Sequence, residues 1–284
     1  MRLQHIFLLG ALLSISLAIT ATAGTMESSM GLSEITGGVE KTSAGHPSQV
    51  LYVASDFSEM AALPGFTILA PSGLVPGFGG VFAGVGGITN SDDTDGAVAV
   101  GAGFGDPTKL VGGAASLGIG SIDPRDGGAM NRGSLNISLG HTFTEYGIGA
   151  AVGATNIDLW HAGSDERTDP SLYAAVTKLL PNDLAPVILT VGLGNRSFVD
   201  IGRGIAWDDK KDEIDVFAAA AVYVLPQVSL IADYTAGVTT MGTSIVPFPK
   251  YPIVLGLAAN DVFTETPGDK VSFLGTLAAG YAFK

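Results

Sequence analysis

Between Gln227 and Phe283 the chain repeats a two-residue alternation of the kind an extended backbone produces. Val228, Leu230, Ala232 and Tyr234 share one face of such a segment, with Ser229, Ile231 and Asp233 on the other. Ile253, Leu255, Leu257 and Ala259 repeat the arrangement, as do Phe273, Leu277, Ala279, Tyr281 and Phe283. Each segment is about ten residues long and sets an apolar face against one of small or polar side chains. Strands of that kind need apolar surroundings on one side and a wetter interior on the other.

Composition narrows the choice. Mean hydropathy is +0.40, yet beyond the N-terminus no apolar run is long enough to cross a membrane as a helix. The hydrophobicity is spread over many short segments, which a closed barrel can turn toward lipid. The 284 residues include 40 glycines and no cysteine, so disulfides, thiolate metal sites and a lipid-modified cysteine are excluded. A formal net charge of −13 opposes nucleic-acid phosphates and favours cations.

These segments resemble the strands of bacterial outer-membrane β-barrel proteins. The closing Gly280-Tyr281-Ala282-Phe283 is similar to the aromatic C-terminal strand by which that family is recognised for assembly, although here Lys284 follows the final aromatic. The resemblance spans about Phe78 to Phe283 and points to no particular transporter family. It implies an all-β, antiparallel, up-and-down transmembrane barrel in a Gram-negative outer membrane. Lipid, the barrel-assembly machinery and small solutes are the implied partners.

Read in order, residues 1–23 have the form of a secretory signal peptide. Arg2 precedes an apolar core, and Ala21-Thr22-Ala23 supplies a small-residue cleavage site. Residues 24–77 form a second region, aperiodic and rich in Ser, Thr and Gly up to Pro47. A short helix is predicted from Ser55 to Leu63, with Asp56 as N-cap, Glu59 completing a capping box and Pro64-Gly65 stopping it. This region has two readings, an ordered loop against the barrel wall or a plug inside the lumen.

Residues 78–284 are the barrel region. About twelve strands are predicted, at 78–89, 95–104, 108–120, 133–143, 145–156, 171–180, 186–195, 213–224, 227–236, 238–247, 251–260 and 271–283. Alternate connections are short, such as Gly105-Asp106-Pro107, Thr144 and Leu225-Pro226. Most of the others are long and charged, a tight turn at Gly237 being the exception. In outer-membrane barrels the short side is periplasmic, and an even strand count returns both chain ends to it. Aromatic residues fall near the strand ends in two bands. Phe104, Phe143, Tyr146, Tyr223, Phe248, Tyr251, Tyr281 and Phe283 lie toward the short turns, and Trp160, Tyr173, Tyr234, Phe263 and Phe273 toward the long loops. Membrane interfaces select such girdles, whereas a soluble sandwich keeps its large aromatics mid-strand.

Inward-facing positions are mostly small. Asn136 and Ser138 belong to them, as does Thr190, and Asp215 and Asp233 are the clearest inward charges. Selective aqueous pores carry charged rings at their constriction, so a nearly neutral wall points either to room for the N-terminal segment or to a narrow path for neutral or apolar solutes. Asp215 and Asp233 could filter cations or simply keep the lumen wet. Asp92, Asp93 and Asp95 crowd one long loop, and Asp165, Glu166 and Asp169 another. Clustered carboxylates are candidate cation ligands, but these lack the spacing of a defined calcium loop.

No catalytic arrangement emerges. His141 shares the register of lipid-facing Leu135, Ile137 and Leu139, and His161 lies near Ser164 only in sequence. Gly101-Ala102-Gly103-Phe104-Gly105 has no βαβ context and matches no phosphate fingerprint. The reading is therefore a non-enzymatic barrel without cofactor or metal, with passive passage of small solutes as its leading function. The alternatives are a closed surface-binding or scaffold barrel working through its acidic loops, and an uptake barrel for apolar solutes.

Overall fold

The computed structural model describes residues 62–89, 94–120, 130, 132–161, 169–181, 185–200, 209–264 and 270–283. The expected signal peptide, most of the helix expected over Ser55–Leu63, and the loop residues Asp92, Asp93, Asp165 and Glu166 lie outside these.

The alternating segments become β1 (Gly80–Thr89), β2 (Thr94–Gly105), β3 (Gly112–Gly120), β4 (Arg132–Phe143), β5 (Ile148–His161) and β6 (Ser171–Leu180). They continue as β7 (Val187–Gly194), β8 (Asp215–Leu225), β9 (Val228–Thr235), β10 (Val238–Ile245), β11 (Ile253–Asn260) and β12 (Ser272–Ala282). Each strand pairs antiparallel with its chain neighbours. β1 pairs with β12 from Gly80 opposite Ala282 to Thr89 opposite Phe273, which closes a 12-strand barrel. Closure leaves no open sheet edge, the condition for β-structure in hydrocarbon.

The two faces separate as the alternation predicts. Val100, Val152, Val191, Leu230 and Leu257 are each more than half exposed on the outside, an apolar belt that no soluble core accounts for. Among the described residues no helix is long and apolar enough to cross a membrane. Many inward positions are buried and small, as in β3 with Gly112, Ala114, Ser116 and Gly120.

Local departures from the predicted strands have specific causes. Thr144–Tyr146 form a 3-10 turn ended by Gly147 at φ 58°, so β5 starts later than expected. It then runs on to His161 through a register shift opposite Leu135 and Ile137, where Asn156 takes φ 58°. The tight β9–β10 connection has Ala236 and Gly237 at φ 57° and 81°, the left-handed pair that suits a two-residue hairpin.

Residues 62–77 run inside the barrel as a strap. Ala62 packs with Val246, Val254 and Ala278, while Leu63 and Phe66 pack with Ile188, Ala221, Tyr223 and Ile231. The strap reaches Asp233 at Ile68–Ala70 and turns back past Thr177 at Gly73. Phe78 then donates its N–H to Gly105 O at 2.7 Å, just before β1 begins. Of the region 24–77, only this stretch is among the described residues, and the rest of the segment read as a loop or a plug lies outside them.

Candidate functional site

The site is the lumen wall together with the strap that crosses it. An irregular strap cannot satisfy its own backbone polar groups, and burial denies it bulk water, so the wall must supply the partners. Short hydroxyl side chains at inward positions do this. Ser244 Oγ accepts from Gly65 N at 2.8 Å, Tyr223 donates its hydroxyl to Pro64 O at 2.8 Å, and Ser229 Oγ donates to Gly65 O. Farther along, Thr177 Oγ1 accepts from Gly73 N at 2.9 Å and lies 3.4 Å from Ser72 Oγ.

At the strap's far end, Ile68, Leu69 and Ala70 direct three successive N–H groups to Asp233 Oδ2, at 2.9, 3.0 and 2.9 Å. Thr235 Oγ1 donates to the other oxygen, Oδ1, at 2.8 Å. Asp233 is only 2% exposed, and a buried carboxylate of this kind is tolerable only where donors converge on it. The inward charge expected from the sequence is therefore neither free in the lumen nor part of a charged ring. It anchors the strap.

The sheet register shows how the polar residues are distributed. Thr142 pairs with Gly149, Gly149 with Thr177, Thr177 with Thr190, Thr190 with Ala219 and Ala219 with Asp233. The row continues from Asp233 to Thr240, Asn260 and Ser272. Because barrel strands tilt, it climbs from the short-turn end of β4 to the long-loop end of β12 as an uncharged polar ribbon broken by one carboxylate. Thr177 and Thr190 hydroxyls lie 2.8 Å apart, and Thr240 donates to Asn260 Oδ1 at 2.6 Å.

A second group closes toward the long-loop end. After β7 the chain folds inward through a 3-10 turn, Arg196–Phe198, with Arg196 at φ 52°. Phe198 lies 5.2 Å from Phe217 and 5.8 Å from Tyr173 between ring centroids. Gly194 has to be glycine for this to happen, since a Cβ there would sit 2.3 Å from the Phe198 ring. Ser197 Oγ is 2.5 Å from Ser171 Oγ and accepts from Asn156 Nδ2 at 3.1 Å. Asn136 Oδ1 in turn accepts from Asn156 N at 2.9 Å. The strap's Leu69 and Ala70 belong to one apolar cluster with Phe198 and Phe217 and also with Ile88, Ala97 and Leu274 from β1, β2 and β12. Contacts thus bridge the lumen from β8 to the strands on its far side.

Asn136, Ser138 and Thr190 are buried and inward. Asp215 is inward and half-buried, with Oδ2 accepting from Asp200 N at 3.2 Å. Asp169 faces solvent but makes an ion pair with the buried Arg196 at 2.8 Å, which engages one of the expected loop cation ligands internally. The backbone of Asp95 lies in β2. Phe104, Phe143, Tyr146, Phe248, Tyr251, Tyr281 and Phe283 are exposed toward the short turns, with Trp160, Tyr234, Phe263 and Phe273 toward the long loops. His141 packs edge-on against Phe143 with 4.5 Å between ring centroids and approaches Leu110 O through Nδ1 at 2.6 Å, away from the lumen.

Two aromatics depart from the expected girdle. Tyr223 was expected at the membrane interface but is buried in the lumen against the strap, and Tyr173 lies with Phe198 and Phe217. The strand alternation already held the signal. Tyr223 shares its parity with inward Phe217, Ala219 and Ala221, and Tyr173 shares its with Ser171, Ala175 and Thr177. Nearness to a strand end was the wrong criterion for these two.

No family model matches the chain, and no curated protein sequence does. Among solved structures it is similar to outer membrane phospholipase A from Escherichia coli, at 9% identity and a TM-score of 0.43, covering 72% of this chain and 93% of that one. It is also similar to an outer membrane channel from Pseudomonas putida F1, at 11% identity and a TM-score of 0.43, with 72% and 96% covered. The Ralstonia pickettii toluene transporter is similar at 12% identity and a TM-score of 0.40, with 92% and 98% covered.

Proposed function

We propose that this chain is an outer-membrane channel for small solutes whose lumen is closed by the strap 62–77. In this reading residues 1–23 direct export, the short turns and both termini face the periplasm, and β12 presents the assembly machinery with its aromatic end. One observation carries the proposal. The strap's described contacts with the inner wall are mostly single bonds to Ser, Thr, Tyr and Asp side chains together with apolar packing. A segment bonded into the sheet would be a wall, whereas one held by side chains can leave without opening the barrel. The wall it would uncover carries the single carboxylate of Asp233 and no charged ring, which suits small solutes that need none.

The test is planar-bilayer conductance of the full mature chain with the strap locked and released. Ser72 Oγ and Thr177 Oγ1 are 3.4 Å apart, close enough for a Ser72→Cys/Thr177→Cys disulfide in a chain that has no other cysteine. The expected result is no current when oxidised, with openings that appear on reduction. Equal silence in both states, in protein shown to have inserted, overturns the channel reading. It would favour a closed scaffold barrel, for which the inward-folded segment after β7 is a second point of closure.

A further inference from the structure

The strap tip presents two kinds of group at one place. Its backbone directs three N–H donors to Asp233 Oδ2, and its Leu69 and Ala70 occupy the apolar cluster with Ile88, Phe198, Phe217 and Leu274. Resting on the reading of the strap as a gate, we propose that the tip sits in a solute-binding site. The solute class is a small amphipathic cation, with an ammonium head for Asp233 and an aromatic or aliphatic body for the cluster.

The chemistry of the vacated site selects this class. When Ile68–Ala70 leave, Asp233 loses three donors and keeps Thr235 Oγ1. The positions paired with Asp233 across the sheet, Ala219 and Thr240, carry no charge to replace them. An apolar solute would leave the carboxylate uncompensated, and an anion would be repelled. An ammonium supplies three N–H donors and a full positive charge, so it matches the strap in donor number and exceeds it in charge. The head must also adjoin the body, because the donors and the Leu69 side chain belong to neighbouring residues. A chain of net charge −13 draws cations toward its mouth and depletes anions.

The experiment is equilibrium binding of three probes with one phenethyl-sized body to the refolded full chain. These are phenethylammonium, the neutral 2-phenylethanol and the anionic phenylacetate, each titrated calorimetrically. Phenethylammonium is expected to bind at least about tenfold more tightly than the alcohol, as charge-assisted bonds to a buried carboxylate allow, and phenylacetate is expected not to bind. Asp233→Asn should bring ammonium and alcohol to similar affinity, an effect that loss of a mere strap anchor would not produce. The oxidised Ser72→Cys/Thr177→Cys protein should bind none of them and recover on reduction. Equal affinities in the unmodified chain, an ammonium preference that persists in Asp233→Asn, or binding indifferent to the lock each overturn the proposal. These readouts need no current, so failure here differs from failure of the channel reading, which shows as an inserted protein that is silent whether the lock is closed or reduced.

Discussion

At the scale of single residues, two aspartates show how placement decides what a carboxylate does. Asp233 is enclosed, and three of its four donors come from a segment more than 160 residues earlier in the chain. Bonds to a charged acceptor contribute about 1.5–3 kcal/mol each. Asp233→Asn is therefore expected to weaken strap docking by about 2 kcal/mol, roughly thirtyfold in the docked-to-free ratio. Single-channel open probability is the measurement, and an unchanged value would remove Asp233 from the gate. Asp106, in the β2–β3 turn, is exposed to water. Its bond to Lys109, then that to Thr108, hold its carboxyl well below the usual carboxylate range. A depressed carboxyl stabilises the folded state at pH values above the ordinary unfolded one, and that stabilisation is lost as pH falls through the folded value. Asp106→Asn should therefore be slightly less stable than the parent near neutrality, with the gap closing in strong acid when thermal unfolding is followed across pH. Solvent screening keeps this effect small.

The strap, as an element, depends on glycine where backbones nearly touch. A Cβ on Gly149 would meet Gly73 O at 2.6 Å and Leu74 Cδ2 at 2.4 Å. Gly149→Val should expel the strap, since overpacking of this kind costs about 1–3 kcal/mol, and should leave the antiparallel ladder of β5 intact. More frequent openings with unchanged heat-modifiable migration on gels are the expected pair of results. Tyr223→Phe removes only the bond to Pro64 O, worth about 1 kcal/mol, and should give a smaller shift in the same direction. At the end of β12, Tyr281 and the following Phe283 meet edge to face at 5.0 Å between ring centroids, both exposed on the outer surface. Phe283→Ala is expected to lower the amount of assembled barrel in cells while leaving the conductance of refolded protein unchanged, because the ring lies on the outer side of the wall.

For the whole molecule, the barrel wall and the lumen contents are separate problems. The wall is held by local pairings between strands adjacent in sequence and by one long-range pairing, β1 with β12. The contents are held almost entirely by long-range contacts, including the bridge from Leu69 and Phe198 to β1 and β12. Partial denaturation should accordingly expel the strap before the barrel opens. Conductance rising at denaturant concentrations where β-sheet circular dichroism is still intact would show this. A single concerted transition would instead make strap and wall one cooperative unit.

The strands, their alternation, the short-turn and long-loop ends and most of the aromatic girdle were legible in the sequence. They follow from a two-residue period that each strand expresses by itself, as Leu230, Ala232 and Tyr234 do against Ser229, Ile231 and Asp233. The inward position of Asp233 was legible for the same reason, and so, by parity, were those of Tyr173 and Tyr223. That Asp233 would be an anchor and not a filter was not legible, because its partners are backbone N–H groups, which every residue but proline has and which leave no mark in a sequence. Nor could the sequence show that the chain after β7 folds inward or that Asp169 is taken by Arg196. Period sets which face a side chain takes. What fills the space enclosed by twelve such faces depends on groups distant in sequence, and only the closed barrel brings them together.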